Sequence, residues 1–316
     1  MVSAKMIDAS DEWKKRYVSR IPHSFEYAGY TWAGMATNAD KIISLKDRQF
    51  GPDDVVIASY PKSGTTWASE VLSAIAHEGD INLIRTVKIN DRVPWIESDD
   101  SSLAANFPGL SSLRKRVVTS AKKKIYSTHL PLHLLPPSIL RGDCKLLYVA
   151  RNPKDLAVSY FHFHQMAKFL GLQNEMTWDE FMSLFCTGSL WYGDWFEHVI
   201  SYWKFSQNNP QVKFICYEDM KIDLMREMES LEELVGISLS MEQRKEVVNH
   251  SSFDSMKCNK MTNREGNMLL DQSRARFMRK GIVGDWKNYF TVAQSEAFDE
   301  LYQKEMKGSG LNFQFE

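Results

Sequence analysis

The run VVIASYPKSGTTWASEVLSAIA at residues 55–76 constrains this chain more than any other segment. Its first six residues are apolar and β-branched, which suits a strand buried on both faces of a parallel sheet. PKSG then turns the chain, and TTWASEVLSAIAHEG carries Trp67, Val71, Leu72, Ile75 and Ala76 at helical spacing. Strand, glycine-containing loop and helix form the setting in which backbone amides at a helix N-terminus hold a phosphate. In that setting Gly64 permits close backbone approach, Lys62 adds a full charge, and Ser63, Thr65 and Thr66 add amides and hydroxyls. Trp67 offers a flat face to a nucleobase. An ordinary capped turn is the plainer reading of the same letters.

The loop departs from the GxxxxGK[ST] phosphate loop of nucleotide kinases. Here lysine precedes the glycine by two residues, and no glycine opens the loop. A second buried strand, LLYVA at 146–150, ends in Arg151 and not in the carboxylate that would hold magnesium. A cation in that place implies that side chains neutralise the bound charge.

Further strands are expected at 125–127 and 212–217, and helices at 156–171, 218–236 and 241–250. Residues 81–121 show no clean period and read as helices and long loops over the sheet. Residues 1–50 read as a leading arm. Strand and helix alternate without a Pro/Gly/Ser-rich linker, internal repeat or low-complexity tract. The expectation is one α/β domain over 1–316, with a central, mostly parallel sheet flanked by helices. Net charge is −1, so no global basic field favours nucleic acid or an anionic membrane. Cys144, Cys186, Cys216 and Cys258 are widely spaced, without a zinc ligand pattern, and fit reduced thiols. No run approaches the roughly 20 apolar residues of a membrane span, and the charged N-terminus is unlike a signal peptide. A cytoplasmic protein without a membrane anchor is expected.

Taken together, YPKSGTTW (60–67), THLP (128–131), YVARNPKDLAVSYFHF (148–163), CYEDMK (216–221), SSF (251–253), FMRKGIVGDWK (277–287) and FTVAQSEAFD (290–299) resemble the animal cytosolic sulfotransferases. These enzymes use 3′-phosphoadenosine 5′-phosphosulfate (PAPS) and release PAP. The match is strongest over 55–316. It implies a P-loop-like 60–67 loop at the phosphosulfate, with Lys62, Ser63, Gly64, Thr65 and Thr66 as ligands and Trp67 against adenine. It implies Arg151, Ser159, Arg279, Lys280 and Gly281 at the 3′-phosphate, with Phe277 and Met278 in the same segment. Tyr217, Ser251, Ser252 and Phe253 fall at the adenosine. The implied catalytic set is His129, Lys62 and Ser159, with His129 as the base that deprotonates the acceptor; no metal is implied. The HFH run at 162–164 lacks a third metal ligand, and its histidines read as structural or pocket-lining.

Where the family usually has lysine before TH, this chain has Ser127. Turnover is then reduced, or Lys62 carries more of the charge, or Lys124 or another cation reaches the site. The arm near Tyr27 to Trp32, the run Pro94-Trp95-Ile96, Phe161, Phe163 and the aromatic run from Trp191 to Phe196 are candidates for an acceptor wall. Such a wall suits a small, largely apolar molecule bearing a hydroxyl or amine, such as a phenol, steroid or alcohol. Lys287, Thr291, Val292 and Glu296 match the family's dimer motif and imply a homodimer through residues 287–296; a helix cap is the alternative role. A dehydratase that expels sulfate from a transient ester, and a nucleotide-binding protein with little transferase activity, are the rival functions.

Overall fold

The computed structural model describes residues 11–106, 123–172 and 176–316. Helix α1 (Asp11–Arg20) and a hairpin of β1 (Phe25–Tyr27) and β2 (Tyr30–Trp32) lead into α2 (Ala39–Ser44). Then follow β3 (Asp54–Ser59), α3 (Thr65–Ala76), β4 (Lys124–Thr128), β5 (Lys145–Ala150) and α4 (Pro153–Met166). Helices α5 (Trp178–Cys186) and α6 (Trp195–Gln207) precede β6 (Val212–Cys216). The chain closes with α7 (Tyr217–Ile222), α8 (Leu224–Val235), α9 (Met241–His250), α10 (Phe253–Cys258) and α11 (Val292–Met306).

The main sheet has the order β4-β3-β5-β6, and every pairing is parallel. Strand alternation sends neighbouring side chains to opposite faces. Val55, Ile57, Leu147, Val149 and Ile215 pack with Val71, Leu72 and Ile75 of α3 and with Met228 and Leu231 of α8. Val56, Ala58, Leu146, Tyr148 and Ala150 face the other core. Each Val, Leu, Ile and Met among them contributes roughly 1.5–3 kcal/mol of burial. The arm belongs to that second core: Tyr17 and Trp32 are wholly buried, and the Tyr17 hydroxyl meets His164 and the Trp191 amide.

After β3 the chain pairs β4 on one side and β5 on the other, so the sheet's switch point lies at the carboxyl end of β3. Open α/β sheets bind ligands there. It is where the 60–67 loop emerges.

Two helices differ from expectation. The amphipathic run at 218–236 is two helices, α7 and α8, broken at Asp223, whose backbone is extended (φ −156°, ψ 91°) and whose carboxylate caps the Arg226 amide. Apolar periodicity continues across such a break, so the period conceals it. Helix α4 begins earlier than expected, because Asn152 caps it and Pro153 sits in its first turn, and it ends at Met166. The basic stretch at 114–122 and the first ten residues lie outside the described residues. Among the described residues no helix is long and apolar enough to cross a membrane.

Candidate active site

One cleft of about 300 Å³ lies over the carboxyl edge of the sheet and is lined by Pro61, Lys62, Gly64, Thr65, Thr66 and Trp67 of the loop, whereas Tyr60 and Ser63 are buried and do not line it. The loop is tightly built. Lys62 (φ 73°) and Gly64 (φ 106°) both take left-handed backbone, and α3 opens at Thr65, where amides have no intrahelical acceptor. The Ser63 amide is bonded to the Tyr60 carbonyl at 3.3 Å, so the cradle uses the amides that follow. Thr65 Oγ1 meets Ser59 Oγ at 2.7 Å in the core. Glycine at 64 has a steric cause within the fold: a Cβ there would lie 2.8 Å from Cδ2 of Tyr217.

Tyr217 is placed by the β6–α7 junction. Its ring stands edge-on to Trp67, with centroids 5.3 Å apart, and carries the Arg151 guanidinium at 4.4 Å. Arg151 also donates to the Lys62 carbonyl at 3.3 Å, tying the end of β5 to the loop. Ser159 reaches the same cleft from two turns along α4. Phe277, Met278, Arg279, Lys280 and Gly281 line the cleft from more than a hundred residues away in sequence. Asp155 on α4 holds them there, accepting the amides of Gly284 and Trp286 at 2.7 and 2.9 Å. Arg279 and Lys280 are ion-paired with Asp285. Ser251 and Phe253 line the cleft, whereas the exposed Ser252 spends its hydroxyl capping α10. A Cβ on Gly281 would collide with the ring of Phe253.

The Lys62 ammonium lies 4.7 Å from the centroid of Phe163 and 4.4 Å from that of Phe277. Burial, then the nearby Arg264, Arg151 and Arg279, lower its pKa to about 7. His129 follows β4. Its Nδ1 is 2.6 Å from the Ser59 carbonyl, which makes Nδ1 the protonated nitrogen and leaves the Nε2 lone pair for the cleft. Burial first, opposed by that bond, and then nearby positive charge pull its pKa down to about 3, so the ring is neutral. Trp95 flanks the ring with centroids 4.5 Å apart, and the His129 backbone amide donates to Glu97 Oε1 at 2.8 Å. Burial raises the Glu97 carboxyl.

Of the aromatic candidates, Trp95, Phe163, Trp191 and Tyr192 line the cleft. Tyr30 opens on a separate cavity beside His133. Phe161 packs on Trp178 and Phe181, and Trp32 is core. Tyr160, Phe169, Leu269 and Leu270 line the wall without having been expected there. So do Glu97, which directly follows the 94–96 aromatic run, and Arg264, which no periodic pattern marks. His162 meets the Tyr289 hydroxyl, and His164 meets Tyr17 and the Tyr160 carbonyl. Among the described residues no group of three or more His, Cys, Asp or Glu is arranged around a metal position. Lys124 is exposed at the amino end of β4, opposite Asp54 and therefore at the wrong end of the sheet for the cleft.

A cradle at a sheet switch point, with cations and a neutral imidazole converging on it, defines an α/β group-transfer enzyme that handles an anionic donor. The Sulfotransferase domain family matches residues 52–310. Sulfotransferase 1A1 of Canis lupus familiaris is 43% identical over 277 residues, covering 87% of this chain and 90% of that protein. Sulfotransferase 1C2 of Rattus norvegicus is 44% identical over 280 residues, covering 88% and 91%. Among solved structures, retinol dehydratase in complex with androsterone and inactive cofactor PAP has a TM-score of 0.82 at 25% identity, covering 96% of this chain and 95% of that one. Mouse sulfotransferase SULT7A1 complexed with PAP has a TM-score of 0.69 at 31% identity, covering 90% and 95%. The chain belongs to the sulfotransferase family.

Proposed function

We propose that this sulfotransferase moves a sulfonate group from PAPS to the hydroxyl or amine of a small, largely apolar acceptor, with His129 as general base. The observation that carries the reading is the convergence of Lys62, Arg151, Ser159, Arg279 and His129 on one cleft. The residues present suit PAPS. Among the described residues, Ser63 Oγ, Trp67 Nε1 and Arg151 Nε are buried polar atoms without a hydrogen-bond partner, and such atoms ordinarily have one. When bound, PAPS supplies an activated sulfonyl group and leaves as PAP.

In this reading Lys62, Ser63, Gly64, Thr65 and Thr66 hold the phosphosulfate end. Arg151, Ser159 and the segment from Phe277 through Met278, Arg279 and Lys280 to Gly281 hold the 3′-phosphate. Trp67, Tyr217, Ser251 and Phe253 enclose the adenosine, and Ser252 sets Phe253 through its cap of α10. His129 Nε2 takes the acceptor proton as the acceptor oxygen bonds to sulfur and the sulfur–phosphate oxygen bond breaks. The departing electron pair rests on the phosphate, where Lys62 and the first amides of α3 meet it, with Ser159 adding a hydroxyl on the donor side. The apolar wall of Trp95, Phe163, Phe169 and Trp191 supports a hydrophobic acceptor.

The test is transfer from labelled PAPS to a panel of phenols, steroids and alcohols. His129→Ala is expected to cost about 10³-fold in rate while PAP affinity stays within about threefold. A variant that kept its rate would overturn the assignment. A dehydratase is the second reading, supported by the closeness of the fold to retinol dehydratase. Free sulfate with an alkene product, in place of a sulfate ester, would select it.

The same proposal takes 1–316 as one domain in the cytoplasm, acting as a homodimer through residues 287–296. Four free cysteines support a reducing compartment. Thr291 and Gln294 form a capping box, while Val292 is 75% exposed at the head of α11 and supports a contact there. A monomer in sedimentation at micromolar concentration would remove the dimer.

A further inference from the structure

Ser127 pairs its hydroxyl with Ser69 and does not line the cleft, so the site has one charge fewer than the family pattern with its lysine at this position. We propose that Arg264 replaces that charge, its guanidinium contacting the sulfonyl end of the donor and neutralising negative charge there during transfer. This rests on the PAPS reading above.

The position of Arg264 carries the argument. It lines the cleft, with Nη2 3.4 Å from Thr66 Oγ1 in the phosphate cradle and Nη1 2.7 Å from Asn90 Oδ1. Its guanidinium carbon is 5.0 Å from the centroid of Phe277, the ring that the Lys62 ammonium approaches to 4.4 Å. Two cations therefore meet at one ring beside the loop, an arrangement that favours an incoming anion. Both residues hold left-handed backbone, Lys62 at φ 73° and Arg264 at φ 61°. Non-glycine residues keep that conformation only where their surroundings impose it, and such residues cluster at ligand sites. After burial, Arg264 is the foremost influence lowering Lys62, and its charge also bears on His129. It thus lines the same cleft as the base and touches the cradle at Thr66. A planar fork of donors matches the sulfonyl oxygens as it matches a carboxylate or phosphate.

A purely structural Arg264, pinning its own loop to Asn90 and Thr66, would affect PAP and PAPS alike. The experiment is calorimetry of PAP and PAPS without acceptor, with single-turnover transfer, on wild type, Arg264→Gln and Arg264→Lys. Arg264→Gln is expected to weaken PAPS about tenfold and PAP less than threefold, and to slow transfer about 10²-fold; Arg264→Lys recovers part of that loss. Equal losses for the two nucleotides, or no loss in either, would overturn the role of Arg264. Failure of the wild type to bind PAP would instead overturn the donor reading.

Discussion

The Ser127 hydroxyl lies 3.2 Å from that of Ser69, sealing β4 against α3 with both side chains buried. The residue that replaces a cation in the family pattern is therefore part of the sheet–helix seam. Ser127→Ala should cost about 1 kcal/mol by leaving Ser69 without that partner and should keep the transfer rate within about threefold. Thermal unfolding and initial rates measure the two effects. A rate loss beyond tenfold would mean that the hydroxyl serves the reaction.

Lys62 gives donor binding a pH dependence with a definite sign. Burial and three neighbouring guanidinium groups lower its pKa to about 7 in the free protein. An anion at the loop favours the ammonium and raises that value, so binding takes up a proton. Affinity for PAP should weaken as pH rises from 7 towards 9, by at most about tenfold per pH unit. Calorimetry at pH 7.5 in two buffers of different ionisation enthalpy should find a fraction of a proton taken up, and Lys62→Met should abolish it. Zero uptake in the wild type would contradict the coupling.

Asp155 does not itself line the cleft. Its carboxylate accepts the Gly284 and Trp286 amides and so holds the segment bearing Arg279 and Lys280 at the cleft. Asp155→Ala strands two amides and frees that segment. PAP affinity should fall at least tenfold, with on the order of 2 kcal/mol lost from stability. Unchanged affinity in a folded variant would show that the 277–284 segment is held by other contacts.

Glu218 makes stability fall as pH rises from acid towards neutrality. Burial raises its pKa to about 7, against the opposing bonds from Asn152. Because the folded value exceeds the unfolded one, the associated stability is complete below about pH 4.5 and is lost as pH rises through 7. The loss is on the order of 3 kcal/mol. Denaturant midpoints for the wild type should fall between pH 5 and 8, and Glu218→Gln should flatten the curve. Parallel curves would assign the slope to another group.

The elements that carry local signals were readable in advance. The 55–60 run, the loop after it and the 146–150 run specify the parallel sheet, because a strand buried on both faces needs an unbroken apolar sequence. Lys62, Arg151, His129 and the FMRKG segment were legible because each sits in a compact motif, and the fold brings all of them to one cleft. Only tertiary structure revealed that Tyr217 crowds any side chain at 64, that Ser127 belongs to a seam, and that Arg264 arrives beside Lys62. It also divided the aromatics, sending Trp95 and Phe163 to the cleft and Trp32 and Phe161 to the core. Periodicity and motif spacing report forces between near neighbours in sequence. Which side chains from distant, aperiodic loops share a cavity depends on how the layers pack, and no local pattern encodes that.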